Sequence, residues 1–411
     1  MELVNANWRV LLGTCVLAVT YSVSSHAGGI YLYEMSNVSE AGYAGAGMVA
    51  RANDAGTVFT NPAGMTRFDA PELIAGGTLV YIYGSYRAKD ETTVDGTTRT
   101  VKNLIPAGSM AYVHPVSDRL KFGISLQNHF GLALDWKDDW VGRYNAVRVA
   151  LVAPQLQPTA SYKVNDWLSV GAGAALTMGY LNDKARVDPI LPGRPDGKLR
   201  ISDADFAVQY NLGIMLEPTN STRIGLRYLS ETDLNFKDAP DVSGLLLTPD
   251  YARIDLGLKM PQSVMAGIHH QINDDWAVLG SVGWDEWSEF ARVRVGLDGL
   301  VPDVRVDAGF QDVWHFGVGA EHQYNPKWML TAGVAYDTPM ASDRTGPIEL
   351  PMSNMYRYAA GFKYKARDDL ILGAGLSWLY QGSVPHAPAN GVYGKYKDVS
   401  ITFLSFYARW H

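Results

Sequence analysis

Strict alternation between apolar residues and small or polar residues is the main pattern along this chain. From Leu168 to Tyr180 every even position is apolar, whereas the odd positions hold Ser, Gly, Ala and Thr. The same division occurs from Ala204 to Leu216 and from Leu370 to Tyr380. A period of two residues indicates β-strands and not helices.

A short polar turn precedes many of these segments and recurs about every fifty residues, as expected for hairpins with one long loop. Each segment has roughly 10 alternating residues, the length that a tilted strand needs to cross a bilayer. Two strands around each turn, with one more at each end, give about fourteen, an even number typical of bacterial barrels. The six turns are Val116–Leu120, Asn165–Leu168, Thr219–Ile224, Asn273–Trp276, Asn325–Trp328 and Arg367–Leu370.

The alternation therefore predicts an all-β protein, a transmembrane antiparallel β-barrel in the outer membrane. Short turns would face the periplasm. The longer links would face outside, near 87–103, 131–146, 181–200, 237–250, 294–311, 341–354 and 383–396. A soluble β-sandwich or solenoid also alternates, but here the face opposite the apolar one is rich in Gly, Ser and charge, the reverse of a soluble core.

Aromatic residues flank two of the short turns, where a membrane interface is expected. Tyr162 and Trp167 surround one turn, and Tyr324 and Trp328 another. The chain ends on an aromatic strand followed by His411. Hydrophobic residues make up 47% and charged residues 19%; this looks soluble because a barrel strand needs only one apolar face.

The first 27 residues have the layout of a secretory signal peptide. An apolar stretch runs from Val10 to Tyr21 after Arg9, and Ala27 precedes the expected cleavage. The only cysteine, Cys15, lies in this stretch; lipidation there is an alternative, although Thr14 is a poor neighbour for it. A net charge of −7 without a basic run gives no electrostatic reason to bind nucleic acid.

Residues 28–70 do not alternate and are rich in Gly and Ala, which allow close backbone packing. A general porin would begin its barrel at once, so these residues predict a plug in the lumen of a barrel formed by residues 71–411. The plug sequence resembles the N-terminal hatch of the FadL family of outer-membrane transporters for long-chain fatty acids and other hydrophobic compounds (OmpP1/FadL/TodX type). The matching residues are Gly29, Ile30, Leu32, Glu34, Ser36, Ala44, Gly45, Gly47, Ala50, Asp54, Ala55, Asn61, Pro62, Ala63 and Gly64. Residues 127–133 are similar to the family's third strand, and residues 274–290 to a later one.

The resemblance implies a fourteen-stranded barrel closed by the hatch, with a hydrophobic ligand moving passively from an outer groove to an inner pocket. A kink in the third strand would then release the ligand sideways into the membrane. It implies a hatch motif at Asn61, Pro62 and Ala63, a lateral opening at Asn128, Phe130 and Gly131, and a pocket contact from Ile30. The ordinary alternatives are a surface turn, a simple bulge and a disordered terminus.

A ligand with an acidic head group would need inward basic side chains. The candidates are Lys184, Arg186, Arg227, Arg357 and Lys363. Inward charges in a plugged lumen also serve to fasten the plug, and the sequence does not separate the two roles. Five methionines are candidates either to line a hydrophobic groove for the ligand or to pack within loops. They are Met260, Met265, Met340, Met352 and Met355.

Three alternatives remain beside the fatty-acid channel. An outer-membrane enzyme is disfavoured because no nucleophile elbow and no HExxH motif occurs. A hydrophilic porin would lack residues 28–70. The same fold could instead carry aromatic hydrocarbons. We expect no cofactor or metal, a monomer, and contacts with outer-membrane lipid and lipopolysaccharide.

Overall fold

The computed structural model describes residues 32–188, 195–238, 241–243, 254–290, 292–297, 301–307, 309–341 and 346–411. The signal-peptide prediction and Ile30 lie outside these residues. No helix among the described residues is long and apolar enough to cross a membrane.

Nineteen strands account for most of the described chain. They are β1 (Glu72–Ala88), β2 (Thr100–Pro115), β3 (Leu120–Asp135), β4 (Arg148–Lys163), β5 (Leu168–Val187), β6 (Gly197–Thr219), β7 (Thr222–Leu229), β8 (Thr232–Asp238), β9 (Asp241–Ser243), β10 (Ile254–Met260), β11 (Ser263–Gln271), β12 (Trp276–Asp285), β13 (Arg292–Leu297), β14 (Val301–Asp307), β15 (Val313–Asn325), β16 (Trp328–Asp337), β17 (Met355–Arg367), β18 (Leu370–Pro385) and β19 (Gly394–Trp410).

Fourteen of these strands form a closed antiparallel ring. The order is β5-β4-β3-β2-β1-β19-β18-β17-β16-β15-β12-β11-β7-β6, and pairing between β5 and β6 closes it. The predicted all-β transmembrane barrel of fourteen strands is therefore confirmed.

All six predicted turns lie between consecutive barrel strands. Three of them share one device, an asparagine whose side-chain oxygen accepts backbone N–H bonds within the turn. Asn165, Asn273 and Asn325 accept from the residues two and three positions later. This local bonding explains why the same short motif recurs, since it fixes a tight reversal independently of the rest of the fold.

The apolar face of the strands points outward. Leu176 is 49% exposed, whereas Thr177 next to it is fully buried on the inner face. The inner face of β4 to β6 carries hydrogen-bonded amides and hydroxyls: Gln155 Nε2 donates to Thr177 Oγ1 at 2.9 Å and to Gln209 Oε1 at 2.8 Å. Lipid therefore meets the apolar side chains and the lumen holds the polar ones, as predicted.

Strands extend into several of the predicted long links; in 181–200, for example, β5 continues to Val187 and β6 begins at Gly197. A separate four-stranded sheet, in the order β14-β13-β10-β8, includes parts of 237–250 and 294–311. The pairing of β13 with β14 continues the alternation of Val with Arg over residues 292–295 and 304–306. These links are therefore not simple loops, because period-two alternation persists within them.

Short helical turns occupy the N-terminal segment, which we define as residues 32–71. They are α1 (Tyr33–Ser36), η1 (Val38–Gly42), α2 (Met48–Arg51), α3 (Thr57–Thr60) and η2 (Pro62–Arg67), and a later turn is α4 (Trp287–Phe290). Almost every residue from Leu32 to Thr66 is buried. The segment contacts barrel strands on both sides of the ring, from β3 to β6 and from β17 to β19, so it fills the lumen.

Candidate functional site

The wall of the barrel is interrupted between β2 and β3. Their ladder runs from Pro115 opposite Lys121 up to Met110 opposite Leu126 and stops there. Within residues 32–188, the remaining parts of the two strands have no register with each other, although β2 continues along β1 and β3 continues along β4. The break therefore leaves a lateral gap at the seam between β2 and β3. A second seam is also incomplete, because the pairing of β6 with β7 ends at Asn211 and Leu229.

A β-bulge lies on β3 beside this gap. The register against β4 shifts between Asn128, opposite Pro154, and Phe130, opposite Ala153, which leaves His129 as the extra residue. Before the bulge in the chain, the even-numbered residues of β3 face lipid, as Leu126 does with 46% exposure. After the bulge, the even-numbered Phe130 is buried. A single extra residue exchanges the two faces of a strand, so Phe130 and Leu134, both beyond the bulge, point inward.

Asn128 and Phe130 stabilise this irregular conformation. The Asn128 amide, oriented to satisfy both of its polar atoms, donates to Phe130 O at 2.8 Å and to Ala153 O at 3.2 Å. Phe130 stacks on Trp287 with ring centroids 6.0 Å apart and lies 5.8 Å from Phe290. The predicted residues Asn128, Phe130 and Gly131 thus lie at the edge of the gap.

The N-terminal segment touches both edges of the gap. Leu32 N donates to His129 O on β3 at 3.2 Å. Val38 N donates to Ser109 Oγ on β2 at 3.0 Å. Backbone groups of one short segment therefore bridge the two strands where their own ladder is missing.

A buried ion-pair network fastens the start of the segment to the opposite wall. Arg357 Nη1 lies 3.0 Å from Glu34 Oε2, and Arg357 Nε lies 2.5 Å from Asp337 Oδ2. His315 Nδ1 bonds Asp337 Oδ1 at 2.6 Å, and Ser377 Oγ donates to Glu34 Oε1 at 3.0 Å. Buried charges are tolerated when they are paired in this way.

A second fastening point is centred on Glu321 of β15. Its Oε1 accepts from Tyr43 OH at 2.6 Å and from Asn53 Nδ2 at 3.0 Å, both on the N-terminal segment. From the wall, His269 Nε2 approaches Oε2 at 3.2 Å and Lys363 Nζ lies 3.9 Å from Oε1. Arg357 and Lys363, both predicted as head-group candidates, are thus placed beside carboxylates that hold the segment.

Asn61, Pro62 and Ala63 lie on a different part of the wall from the gap. Asn61 Nδ2 donates to Val49 O at 2.6 Å and to Ile214 O of β6 at 3.0 Å, and Asn61 Oδ1 accepts from Ala63 N. Gly171 and Gly213 face this motif, and a Cβ on either would overlap it. The motif therefore docks the segment closely against β5 and β6.

The other basic candidates do not form one cluster. Lys184 and Arg186 lie near the end of β5, where Arg186 pairs with Asp138 at 2.8 Å, far along the chain from the bulge. Arg227 on β7 is fully buried, and its guanidinium carbon lies 5.5 Å from the ring centroid of Phe59. Phe59 in turn lies 5.0 Å from His129, so a single aromatic ring lies between Arg227 and the bulge residue.

Aromatic side chains cover the lumen at the loop end of β1 and β3. Trp136 stacks on Trp140 at 5.1 Å, and Tyr86 meets Trp140 at 5.7 Å and Tyr396 at 5.0 Å. Tyr86 OH lies 2.8 Å from Nε2 of His386, whose pKa is lowered by burial. The cap is apolar with a few polar atoms.

Glu349 is buried in the link before β17, and burial raises the pKa of its carboxyl to about 8, with Asp183 adding to the shift. A carboxyl with such a pKa is largely protonated at neutral pH.

Sequence reasoning missed Glu34, Tyr43 and Glu321 as fastening residues, and it missed Ser109 and Gln127 at the gap. Glu34 is 323 positions from Arg357, and no periodic signal reports a contact at that separation. Gln127 lay within residues 127–133, which resemble the family's third strand, but no role of its own followed from the sequence.

The sequence matches the family model described as outer membrane protein transport protein (OMPP1/FadL/TodX) over residues 18–401. The chain belongs to this family. It is 24% identical to the long-chain fatty acid transport protein of Escherichia coli O6:H1, with 92% of each chain covered. It is also 24% identical to outer membrane protein P1 of Haemophilus influenzae, covering 97% of this chain and 95% of that protein.

Solved structures of family members share the fold. A FadL homologue from Pseudomonas aeruginosa superposes with a TM-score of 0.82 at 22% identity, covering 93% of this chain and 99% of that one. The Ralstonia pickettii toluene transporter TbuX gives 0.68 at 21% identity, covering 92% of this chain and all of that one. The chain is thus a FadL-family transport protein of the outer membrane, and this family is one of transporters and not of enzymes.

Proposed function

We propose that this protein takes up long-chain fatty acids or similar hydrophobic molecules and releases them sideways through the gap between β2 and β3. The observation that carries the proposal is that the hydrogen-bond ladder between β2 and β3 ends at Met110 and Leu126. This gap lies beside a lumen that the N-terminal segment fills. A ligand inside the barrel then has an exit toward lipid. An apolar ligand gains about 0.8 kcal/mol for each methylene kept out of water, which favours this exit over an aqueous one.

The polar end of an acidic ligand is assigned to Arg227. Arg357 and Lys363 lie beside Glu34, Asp337 and Glu321, so using either for the ligand would weaken the hold on the N-terminal segment. Arg227 lies behind Phe59, which contacts the bulge residue His129. Ile30, two residues before Leu32, is assigned to the same pocket by the family resemblance.

Aromatic hydrocarbons are the second candidate cargo. Phe130, Trp287 and Phe290 form an aromatic cluster beside the gap, and planar rings stack favourably on such a surface. The structural relative TbuX is described as a toluene transporter. A hydrophilic porin is not favoured, because the N-terminal segment occupies the lumen.

The division of the chain belongs to the same proposal. We assign residues 1–27 to a cleaved signal peptide, residues 28–70 to the hatch and residues 71–411 to the barrel, with a monomer in contact with lipid and lipopolysaccharide. N-terminal sequencing of outer-membrane material and its mass in detergent test these assignments. A first residue other than Gly28, or a stable oligomer, would contradict them.

Uptake measurements decide the cargo. Cells that express the full chain are given radiolabelled oleate, toluene or a small sugar, beside cells without it. We expect faster uptake of oleate and no change for the sugar, and a deletion of residues 28–65 should raise single-channel conductance in planar bilayers. Faster uptake of toluene alone would replace fatty acids with aromatic cargo, and porin-like conductance of the intact protein would contradict both.

A further inference from the structure

The inner faces of β2 and β4, which flank β3 at the gap, are neutral over most of their height. On β3 itself the buried basic side chains are Lys121, which lies 3.9 Å from Asp69, and His129 at the bulge. Inward residues of β2 and β4 include no acid or base between Val101 and Val113 or between Leu151 and Ser161. They are Val101, Asn103, Ile105, Ala107, Ser109, Ala111 and Val113 on β2, and Leu151, Ala153, Gln155, Gln157, Thr159 and Ser161 on β4. The charges of β15 to β17 that hold the N-terminal segment are on another part of the ring.

Gln127 occupies the first inward position on β3 beyond the last rung with β2. It is 2% exposed, and neither its Nε2 nor its Oε1 has a hydrogen-bond partner among the described residues. Continued pairing would have set it opposite Ser109, the residue that Val38 contacts. The side chain therefore lies at the edge of the gap, and both its amide nitrogen and its carbonyl oxygen are unused among the described residues.

Two neighbouring side chains also have buried polar atoms without a hydrogen-bond partner among the described residues. Ser125, two residues before on the same face, is 3% exposed and its Oγ has no partner in the described part of the chain. Gln155, opposite Gln127 on β4, uses its Nε2 for Thr177 and Gln209 but leaves its Oε1 unpartnered there. Leaving a buried polar atom unpaired costs about 1–3 kcal/mol, so a cluster of them at one place calls for an occupant.

We propose that Gln127, with Ser125 and Gln155, forms a hydrogen-bonding station for the uncharged polar end of a departing ligand. This inference rests on the proposed function and adds the ligand class. The cluster offers donors and acceptors but no compensating charge, so it suits an alcohol or a protonated acid, which can both donate and accept. A carboxylate would be desolvated there without a counter-ion, which is much more costly.

The proposal also separates two roles within the lumen. Arg227, behind Phe59, would hold a charged head group, whereas Gln127 would meet the same head group in neutral form at the gap. Gln127 is a specificity-determining residue in this view, because a hydrocarbon without a polar end gains nothing from it.

The test compares two ligands of equal chain length, oleyl alcohol and 9-octadecene, both radiolabelled, in cells that express the full chain. In Gln127→Leu and Gln127→Met, uptake of the alcohol should fall about 2- to 10-fold, the loss expected for one hydrogen bond, and uptake of the hydrocarbon should not change. Both variants should insert normally and unfold at the same or a higher temperature, because they remove unpaired buried atoms.

Gln381→Leu is the matched control. Gln381 on β18 is a buried glutamine away from the gap, and its Oε1 accepts from Ser353 N at 2.8 Å. Its loss should lower the unfolding temperature without changing the ratio of alcohol to hydrocarbon uptake. An unchanged ratio in both Gln127 variants, with correct insertion, would mean that water alone satisfies the amide and would overturn the station. Absence of uptake of either ligand by the wild-type protein would overturn the proposed function as well, so the two failures are distinguishable.

Discussion

Met110 on β2 and Leu126 on β3 form the last pair between these strands. Beyond this pair, β3 remains paired with β4 but no longer with β2. The N-terminal segment reaches both strands just beyond this pair, through Val38 on one side and Leu32 on the other. The gap is therefore coupled by backbone hydrogen bonds to the segment that fills the lumen, and changes that loosen the segment should also affect the gap.

Gly333 on β16 is expected to be essential for seating the N-terminal segment. A Cβ at this position would overlap the Tyr43 carbonyl, so Gly333→Val should displace the segment at a cost of about 1–3 kcal/mol. Single-channel recordings should show more frequent or larger openings. Gly84→Ala is the control, since its Cβ would meet only ordinary contacts at 3.6 Å. Equal conductance of the two variants would argue against close packing at Tyr43.

Arg357 should be more important for stability than any exposed basic residue. Arg357→Met leaves Glu34 and Asp337 buried without their shared cation, and breaking such a buried pair costs about 3–5 kcal/mol. The midpoint of heat-induced unfolding, followed by the gel shift of the barrel, should fall clearly. Arg367→Met, which breaks an exposed pair with Asp369, should leave the midpoint unchanged. Similar midpoints for both variants would remove Arg357 from the fastening role.

The strand pattern was predictable from the sequence because alternation is a local property. The turns at Asn165, Asn273 and Asn325 depend on side-chain to backbone bonds within four residues, so sequence alone places them. The gap was only partly predictable. The resemblance pointed to Asn128, Phe130 and Gly131, but the loss of pairing with β2 depends on which strands meet, and period-two alternation carries no such information.

The fastening contacts of the N-terminal segment were not predictable. The Tyr43 and Glu321 pair is separated by 278 positions, and a glutamate on an inner face has the same pattern whether it binds a plug, a ligand or water. Lys184 and Arg186 entered the head-group candidates for this reason, although they lie near the end of β5, away from Arg227 and the bulge.

The link before β17 that holds Glu349 should loosen as pH rises. The pKa of Glu349 is raised to about 8 in the folded protein, against about 4.3 for a free side chain. Its contribution to stability is therefore complete below about pH 4.3 and is lost as the pH rises toward 8. Amide hydrogen exchange around Ile348 and Leu350 should accelerate over this window in the wild type.

Glu349→Gln keeps the side chain neutral at every pH and should abolish this acceleration. Glu91→Gln, at an exposed loop position, is the control and should behave as the wild type. Exchange that responds to pH equally in all three proteins, after correction for the intrinsic rate, would show that Glu349 does not stabilise this link.

Deletion of His129 tests the lateral route most directly. His129 is the extra residue of the bulge, and its removal sets Asn128 and Phe130 against Pro154 and Ala153 in one continuous register, with Phe130 still facing inward. The straightened strand could then pair with β2 beyond Met110. His129→Ala, which keeps the extra residue and removes only the ring, is the control. We expect the deletion to reduce uptake of radiolabelled oleate to the level of cells without the protein, with equilibrium binding retained and uptake by His129→Ala preserved. Undiminished uptake by a correctly inserted deletion variant would contradict release through the gap between β2 and β3.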